Sequence, residues 1–242
     1  MEFIKIKNWT YANRLSLNLD KTIVMSFTLN KNVPNPEIFF EGNSFAVTNQ
    51  TKFLGIIIDD QLKFSNHLQI VSLKLSKNVG IIYRLKTCIP QKVLIQLYYS
   101  LVYPYLSYCV NIWGSTYDAH VKPIEILQKK IVRLITNSSY YAHTTPLFRE
   151  LNILKLCDIY KFHAALFMFD KIHSSTTVPR HSYSTRFNSD TRSAFHRLTV
   201  TQHSLSFTAP KIWNDIPLAI RNIKKLKPFK KNLKQFFIDQ YI

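Results

Sequence analysis

The 242 residues predict a mostly α-helical α+β protein: a small antiparallel sheet first, then a helical bundle, then a basic helical C-terminal region. Three observations carry this. From Ser65 onward apolar residues recur at steps of three and four, the period of one helical face. Before that point, short β-branched and aromatic runs are separated by Gly, Asn and Asp, as in strands joined by tight turns. The composition, 46% hydrophobic with four glycines, supplies a core and argues against disorder or a fibrous repeat.

Taken in order, Phe3, Ile4, Ile6, Trp9, Ala12 and Leu15 lie near helical spacing and predict a helix over 3–16. Lys21 to Phe27 reads as a buried strand, and Gly42 and Asn43 between apolar runs predict a hairpin over 39–45. Thr51 to Ile58 reads as a third strand, with Asp59-Asp60 as its turn. Leu68, Val71, Leu75, Val79, Ile82 and Leu85 then form the stripe of a long helix, which Pro90 bars from continuing. A second helix is expected from Gln91 to Tyr103, bent or ended by Pro104. Asp118 opens a third, with Val121, Ile124, Leu127, Ile131, Leu134 and Ile135 inside and Lys122, Lys129, Lys130 and Arg133 outside. A fourth covers Leu154 to His173. Residues 174–206, rich in Ser, Thr, His and Arg, read as an irregular basic segment. In the final helix, Pro228 suits the first turn and Phe229, Leu233, Phe236 and Phe237 form the inner face. The expected division is 1–63, 64–138 and 139–242.

The net charge of +18, from 32 Lys and Arg against 14 Asp and Glu, points to a polyanionic partner. Nucleic acid ranks first, because phosphate contacts dominate affinity for it. No apolar run approaches the roughly 18 residues that a membrane span needs. Cys88, Cys109 and Cys157 lack zinc-site spacing and are expected to be small buried hydrophobes in a reducing compartment. The N-terminus has no signal-peptide layout, so a cytoplasmic or nuclear location is expected, not secretion.

Five segments, in order, carry a resemblance. They are Asn8-Trp9 through Asn18 with Lys21 to Phe27, Lys52-Phe53-Leu54-Gly55 to Asp59, Leu97 to Cys109 with Ile112-Trp113-Gly114, Leu127 to Arg133, and Trp213-Asn214-Asp215-Ile216-Pro217 with Phe229 to Lys234. Together they resemble the C-terminal part of the reverse transcriptases of non-LTR (LINE-type, jockey-like) retrotransposons. The resemblance implies a palm remnant over 1–63, a helical thumb over 64–138 and the basic C-terminal region beyond. Members of that family hold two divalent metals on an aromatic-Ala-Asp-Asp turn and an earlier Asp, which activate the primer hydroxyl and stabilise pyrophosphate. Those carboxylates do not occur in these residues, so no catalytic residue, metal ligand or cofactor is assigned. Magnesium is expected only in the intact polymerase. Asp59-Asp60 follow Ile57-Ile58, not an aromatic and Ala, and are read as a structural turn.

The resemblance also supplies candidates for nucleic-acid contact. Lys21 matches a palm lysine thought to approach the incoming nucleotide's phosphates, and Phe53, Leu54 and Gly55 resemble the primer grip, a hairpin that holds the primer end. Lys74, Lys77, Arg84 and Lys86 would lie on the first thumb helix, facing a template–primer duplex or water. Arg221, Lys224, Lys225, Lys227, Lys230, Lys231 and Lys234 form a run with no acidic residue between Asp215 and Asp239, typical of RNA or DNA binding or a nuclear localisation signal. Trp9, Trp113 and Trp213 could stack on bases, but their apolar neighbours favour core packing. The expected function is that of a truncated RNA-directed DNA polymerase without its catalytic Asp-Asp and fingers, retaining a grip on RNA, DNA or an RNA–DNA duplex. A reused basic nucleic-acid-binding protein and a decayed genomic remnant are the alternatives.

Overall fold

A computed structural model describes residues 2–16, 18, 21–28, 39–40, 43–174, 191 and 197–241. They belong to two compact units, Met1–Lys63 and Phe64–Ile242.

The first unit opens with helix α1 (Glu2–Ala12). Its apolar residues fall on opposite faces, Ile4 with Tyr11 and Ile6 with Trp9, at 100° per residue. Neither face is wide enough to make a core stripe, and all four are exposed, Trp9 at 62%. The expectation of a packed Trp9 is thereby corrected. The strands form three two-stranded pairs. β1 (Ile23–Val24) runs parallel to β4 (Ala46–Val47), and β2 (Phe39–Phe40) pairs antiparallel with β3 (Asn43–Ser44).

The stretch read as one strand over 51–58 is a hairpin. β5 (Gln50–Phe53) pairs antiparallel with β6 (Ile56–Asp59), Phe53 opposite Ile56. Leu54 and Gly55 make the two-residue turn with φ of 45° and 86°. Positive φ at both positions is the turn that matches strand twist, and Gly55 takes it without a Cβ penalty.

The second unit is helical. α2 (Ser65–Leu85) buries Leu68, Val71, Leu75, Val79 and Ile82 of the stripe its spacing predicts, while Leu85, the last of that stripe, is half-buried. It packs against α6 (Asp118–Ile135). Between them, the helix expected over Gln91–Tyr103 is divided, and helical winding passes Pro104: α3 spans Gln91–Leu97. Residues Tyr98–Val102 wind as a π turn, in which Tyr103 N–H reaches Tyr98 O, and α4 (Tyr103–Ser107) resumes with Pro104 in its first turn. A proline N is tolerated there because first-turn donors have no partner within the helix. α5 (Val110–Trp113) buries Trp113, whose Nε1 donates to Tyr108 O at 2.9 Å.

α7 (Thr144–Glu150) and α8 (Leu156–Ser174) follow. Part of the segment expected to be irregular is helical: α9 (Thr199–Gln202) and the start of α10 (Leu205–Asn214) lie within it, while 175–190 and 192–196 are outside the described residues. α11 (Leu218–Arg221) leads to α12 (Leu226–Asp239). Phe229 of α12 stacks on Phe169 of α8 at 4.5 Å and lies 5.8 Å from Trp213 of α10, so three helices share one aromatic centre.

One core position inverts the sequence reading. Gln128 on α6 is buried at 1% exposure, and Leu127 sits at the margin. Gln128 Nε2 donates to Tyr98 Oη and to Leu154 O, and its Oε1 accepts from Leu156 N–H, each at 2.9 Å. A buried amide is tolerated only when it is satisfied in this way. The cysteines also depart from expectation. Cys88 follows α2 in a turn, Cys157 opens α8, and both are exposed, while Cys109 is half-buried. No helix among the described residues is long and apolar enough to cross a membrane.

Candidate nucleic-acid interface

In the first unit, Lys21 has an exposed side chain, and its backbone N–H donates to Asn18 Oδ1 at 3.0 Å. Phe53 and Leu54 are 61% and 75% exposed at the hairpin tip, beside exposed Gly55. The hairpin therefore presents an apolar tip with one residue lacking a side chain. Asp59 does not resemble a metal ligand. Its Oδ1 accepts the backbone N–H groups of Gln61 and Lys63, at 3.2 and 2.9 Å, and so closes the turn after β6. Among the described residues no group of three or more His, Cys, Asp or Glu side chains comes together.

On α2 the four cationic candidates do not act alike. Lys77 and Arg84 are exposed and seven residues apart, hence on one face and about 10 Å from each other along the axis. Lys74 leans over the Tyr105 ring at 5.3 Å. Lys86, just past the helix, lies 5.5 Å from the Tyr83 ring centre and donates to Asn137 Oδ1 at 3.2 Å. The outer face around Lys77 also carries Leu73, 60% exposed, and Gly80, around which a Cβ would meet nothing.

On α12 the arrangement is regular. Lys227, Lys230, Lys231 and Lys234 stand at i, i+3, i+4 and i+7, one stripe of the helix, flanking the buried line of Phe229, Leu233 and Phe237. Lys227, Lys230 and Lys231 are exposed. Lys234 is half-buried; its Nζ donates to Tyr99 Oη at 3.4 Å, and burial holds its pKa below the usual lysine value. Burial, and after it the Lys230 charge, holds the His163 imidazole on α8 below its usual pKa. Lys224 and Lys225 extend the cationic surface ahead of the helix, whereas Arg221 is half-buried at the end of α11. The periodicity of the lysines was readable from the sequence; Lys234's engagement with Tyr99, 135 positions away, was not. Trp113 and Trp213 are buried, at 0% and 3%, so neither can stack on a base.

The fold and charge define a class: a mostly helical unit and a small unit of strand pairs in a strongly basic chain, with cations arrayed on helix faces. Its relatives narrow that class. The chain is 28% identical over 166 residues to the probable RNA-directed DNA polymerase from transposon X-element of Drosophila melanogaster, a match covering 66% of this chain and 18% of the relative. It is 31% identical over 149 residues to the probable RNA-directed DNA polymerase from transposon BS of the same species, covering 60% and 16%. To the RNA-directed DNA polymerase from mobile element jockey, also of D. melanogaster, it is 25% identical over 203 residues, covering 81% and 22%. The chain thus spans about a fifth of the length of the curated relatives it matches. It is related to the RNA-directed DNA polymerases of non-LTR retrotransposons. No family model matches the chain, and no solved structure does.

Proposed function

We propose that this stretch of chain grips a template–primer duplex of RNA and DNA, and that synthesis belongs to carboxylates these residues do not contain. The lysine stripe of α12 carries the reading. Three solvated ammonium groups on one face of a helix anchored by Phe229, Leu233 and Phe237 suit phosphates spaced along a strand, and such contacts position a duplex without reading its sequence. Lys77 and Arg84 on the outer face of α2, next to open space at Gly80, offer a second contact. In the first unit, the exposed tip at Phe53, Leu54 and Gly55 supports a primer-grip role, and exposed Lys21 is available to a phosphate.

The relatives' polymerase names support nucleic acid over other polyanions. The test is a salt titration of RNA–DNA hybrid binding by the unaltered chain and by Lys227→Gln/Lys230→Gln/Lys231→Gln. Three lost phosphate contacts should flatten the slope of log K against log salt by roughly 2 to 3. An unchanged slope would remove α12 from the interface.

A further inference from the structure

The loop joining α6 to α7 has features that a duplex grip leaves unused. α6 ends in a fixed cap: Asn137 adopts a left-handed conformation with φ 49°, its N–H reaches Leu134 O at 3.3 Å, and Ser138 N–H reaches Arg133 O at 3.0 Å. Arg133 Nε then donates to Ala142 O at 2.9 Å, and Ala142 N–H closes a turn on Ser139 O at 3.0 Å. The loop is tied down at both ends, yet it holds Tyr140 at 71% and Tyr141 at 89% exposure. Core packing cannot account for two aromatic rings placed in water side by side.

Tyr141 also walls a cleft of about 380 Å³ enclosed by α6, this loop, α7 and the start of α8. Lys129, Arg133 and Lys155 line the cleft against one carboxylate, Glu125. Lys155 Nζ is held in place by Thr145 Oγ1 at 3.2 Å and by the Tyr241 ring, whose centre is 4.4 Å away. The cleft is therefore net cationic and bordered by the exposed Tyr141 ring, with the Tyr140 ring packed against that ring from outside the lining, the combination that takes a phosphate and a base together.

The two rings meet edge to face, with centroids 5.3 Å apart and planes at 90°. A base stacked on one ring would stand perpendicular to a base stacked on the other. Bases in a duplex are parallel and already stacked on each other, so a duplex interior cannot supply that pair. An unpaired strand can, because its bases splay freely.

We infer that the cleft and the Tyr140–Tyr141 pair form a binding site for single-stranded nucleic acid, with a backbone phosphate among Lys129, Arg133 and Lys155 and a base on each ring. The inference rests on the nucleic-acid reading above but is independent of which helix holds the duplex.

The experiment compares binding of a short labelled oligouridylate and of a blunt RNA–DNA hybrid to the full chain, by fluorescence anisotropy at one salt concentration. Each base–ring stack contributes a factor of roughly 5 to 160 in affinity. Tyr140→Ala/Tyr141→Ala should therefore weaken oligouridylate binding by about 20-fold or more and leave hybrid binding within about two-fold. Tyr140→Phe/Tyr141→Phe should bind like the unaltered chain, since the ring, not the hydroxyl, makes the stack. Both rings are solvated, so an unchanged melting temperature is expected of each variant. Equal loss for both ligands, or no loss for oligouridylate, overturns the site. If the unaltered chain binds the hybrid but not oligouridylate, this inference fails and the duplex reading stands; if it binds neither, both fail.

Discussion

Replacing Gln128 by Ala tests how the helical unit is held together. The substitution removes three hydrogen bonds, each of 2.9 Å, at a position that is 1% exposed. It strands the Leu154 carbonyl and the Leu156 N–H, both on residues that are 5% exposed or less. A buried polar group left without a partner costs about 1–3 kcal/mol, so two of them plus a partial cavity give a loss of roughly 3–6 kcal/mol. Whole-domain stabilities are about 5–15 kcal/mol. For a unit of this size, about 2–4 °C of melting temperature per kcal/mol translates the loss into a fall of roughly 6–24 °C. Thermal melting followed by circular dichroism reads it. Tyr98→Phe is the control: it deletes one partner hydroxyl, should cost about 1 kcal/mol, and should cost less again in the Gln128→Ala background. A Gln128→Ala protein melting within about 2 °C of the parent would show that the amide does not join α6 to the start of α8.

Three further outcomes follow from the same geometry. Gly114→Ala should destabilise by about 1–3 kcal/mol, because its Cβ would lie 2.5 Å from Val110 O and 2.7 Å from the Tyr160 ring; a denaturant titration checks it. Gly80→Ala, where a Cβ meets nothing, should instead stabilise α2 by about 0.5–1 kcal/mol, seen as a raised melting temperature; if α2 presses its backbone on a ligand, hybrid binding weakens at the same time. His67 and His163 are held below the usual histidine range, chiefly by burial and secondarily by Lys74 and Lys230 respectively. The unfolded chain then binds more protons than the folded one as pH falls, so their contribution is complete above about 6.5 and is lost below it, through the depressed folded values. Urea midpoints should drop between about pH 7.5 and pH 5, and less so in His67→Gln/His163→Gln.

The long amphipathic helices were legible because a 3.6-residue period leaves a plain mark: α2 buries all but the last residue of the stripe that its spacing predicts. Gln128 left no such mark. Its polarity argued for the outside, and only the convergence of Tyr98, Leu154 and Leu156 makes burial tolerable. Residue pattern alone read 51–58 as one strand, since the turn of the 50–59 hairpin uses Leu54, a residue with low preference for positive φ; only the primer-grip resemblance at Phe53, Leu54 and Gly55 pointed to a hairpin there. Pro104 signalled a break, but a π turn absorbed it. Trp9 read as core from its apolar neighbours, but those neighbours lie on different faces of α1 and no face holds enough apolar area to bury it. For the interface, the α12 lysines could be placed on one stripe by counting, whereas the departure of Lys74 toward Tyr105 and of Lys86 toward Asn137 depends on tertiary neighbours.

Binding of a labelled RNA–DNA hybrid by the unaltered chain, measured across a series of salt concentrations, tests the central claim most directly. With Lys227, Lys230 and Lys231 on α12 and Lys77 and Arg84 on α2 each meeting a phosphate, log K should fall linearly with log salt at a slope of roughly −4 to −5, with little dependence on base sequence. A slope near zero, or no binding at low salt, would contradict a phosphate grip on template–primer.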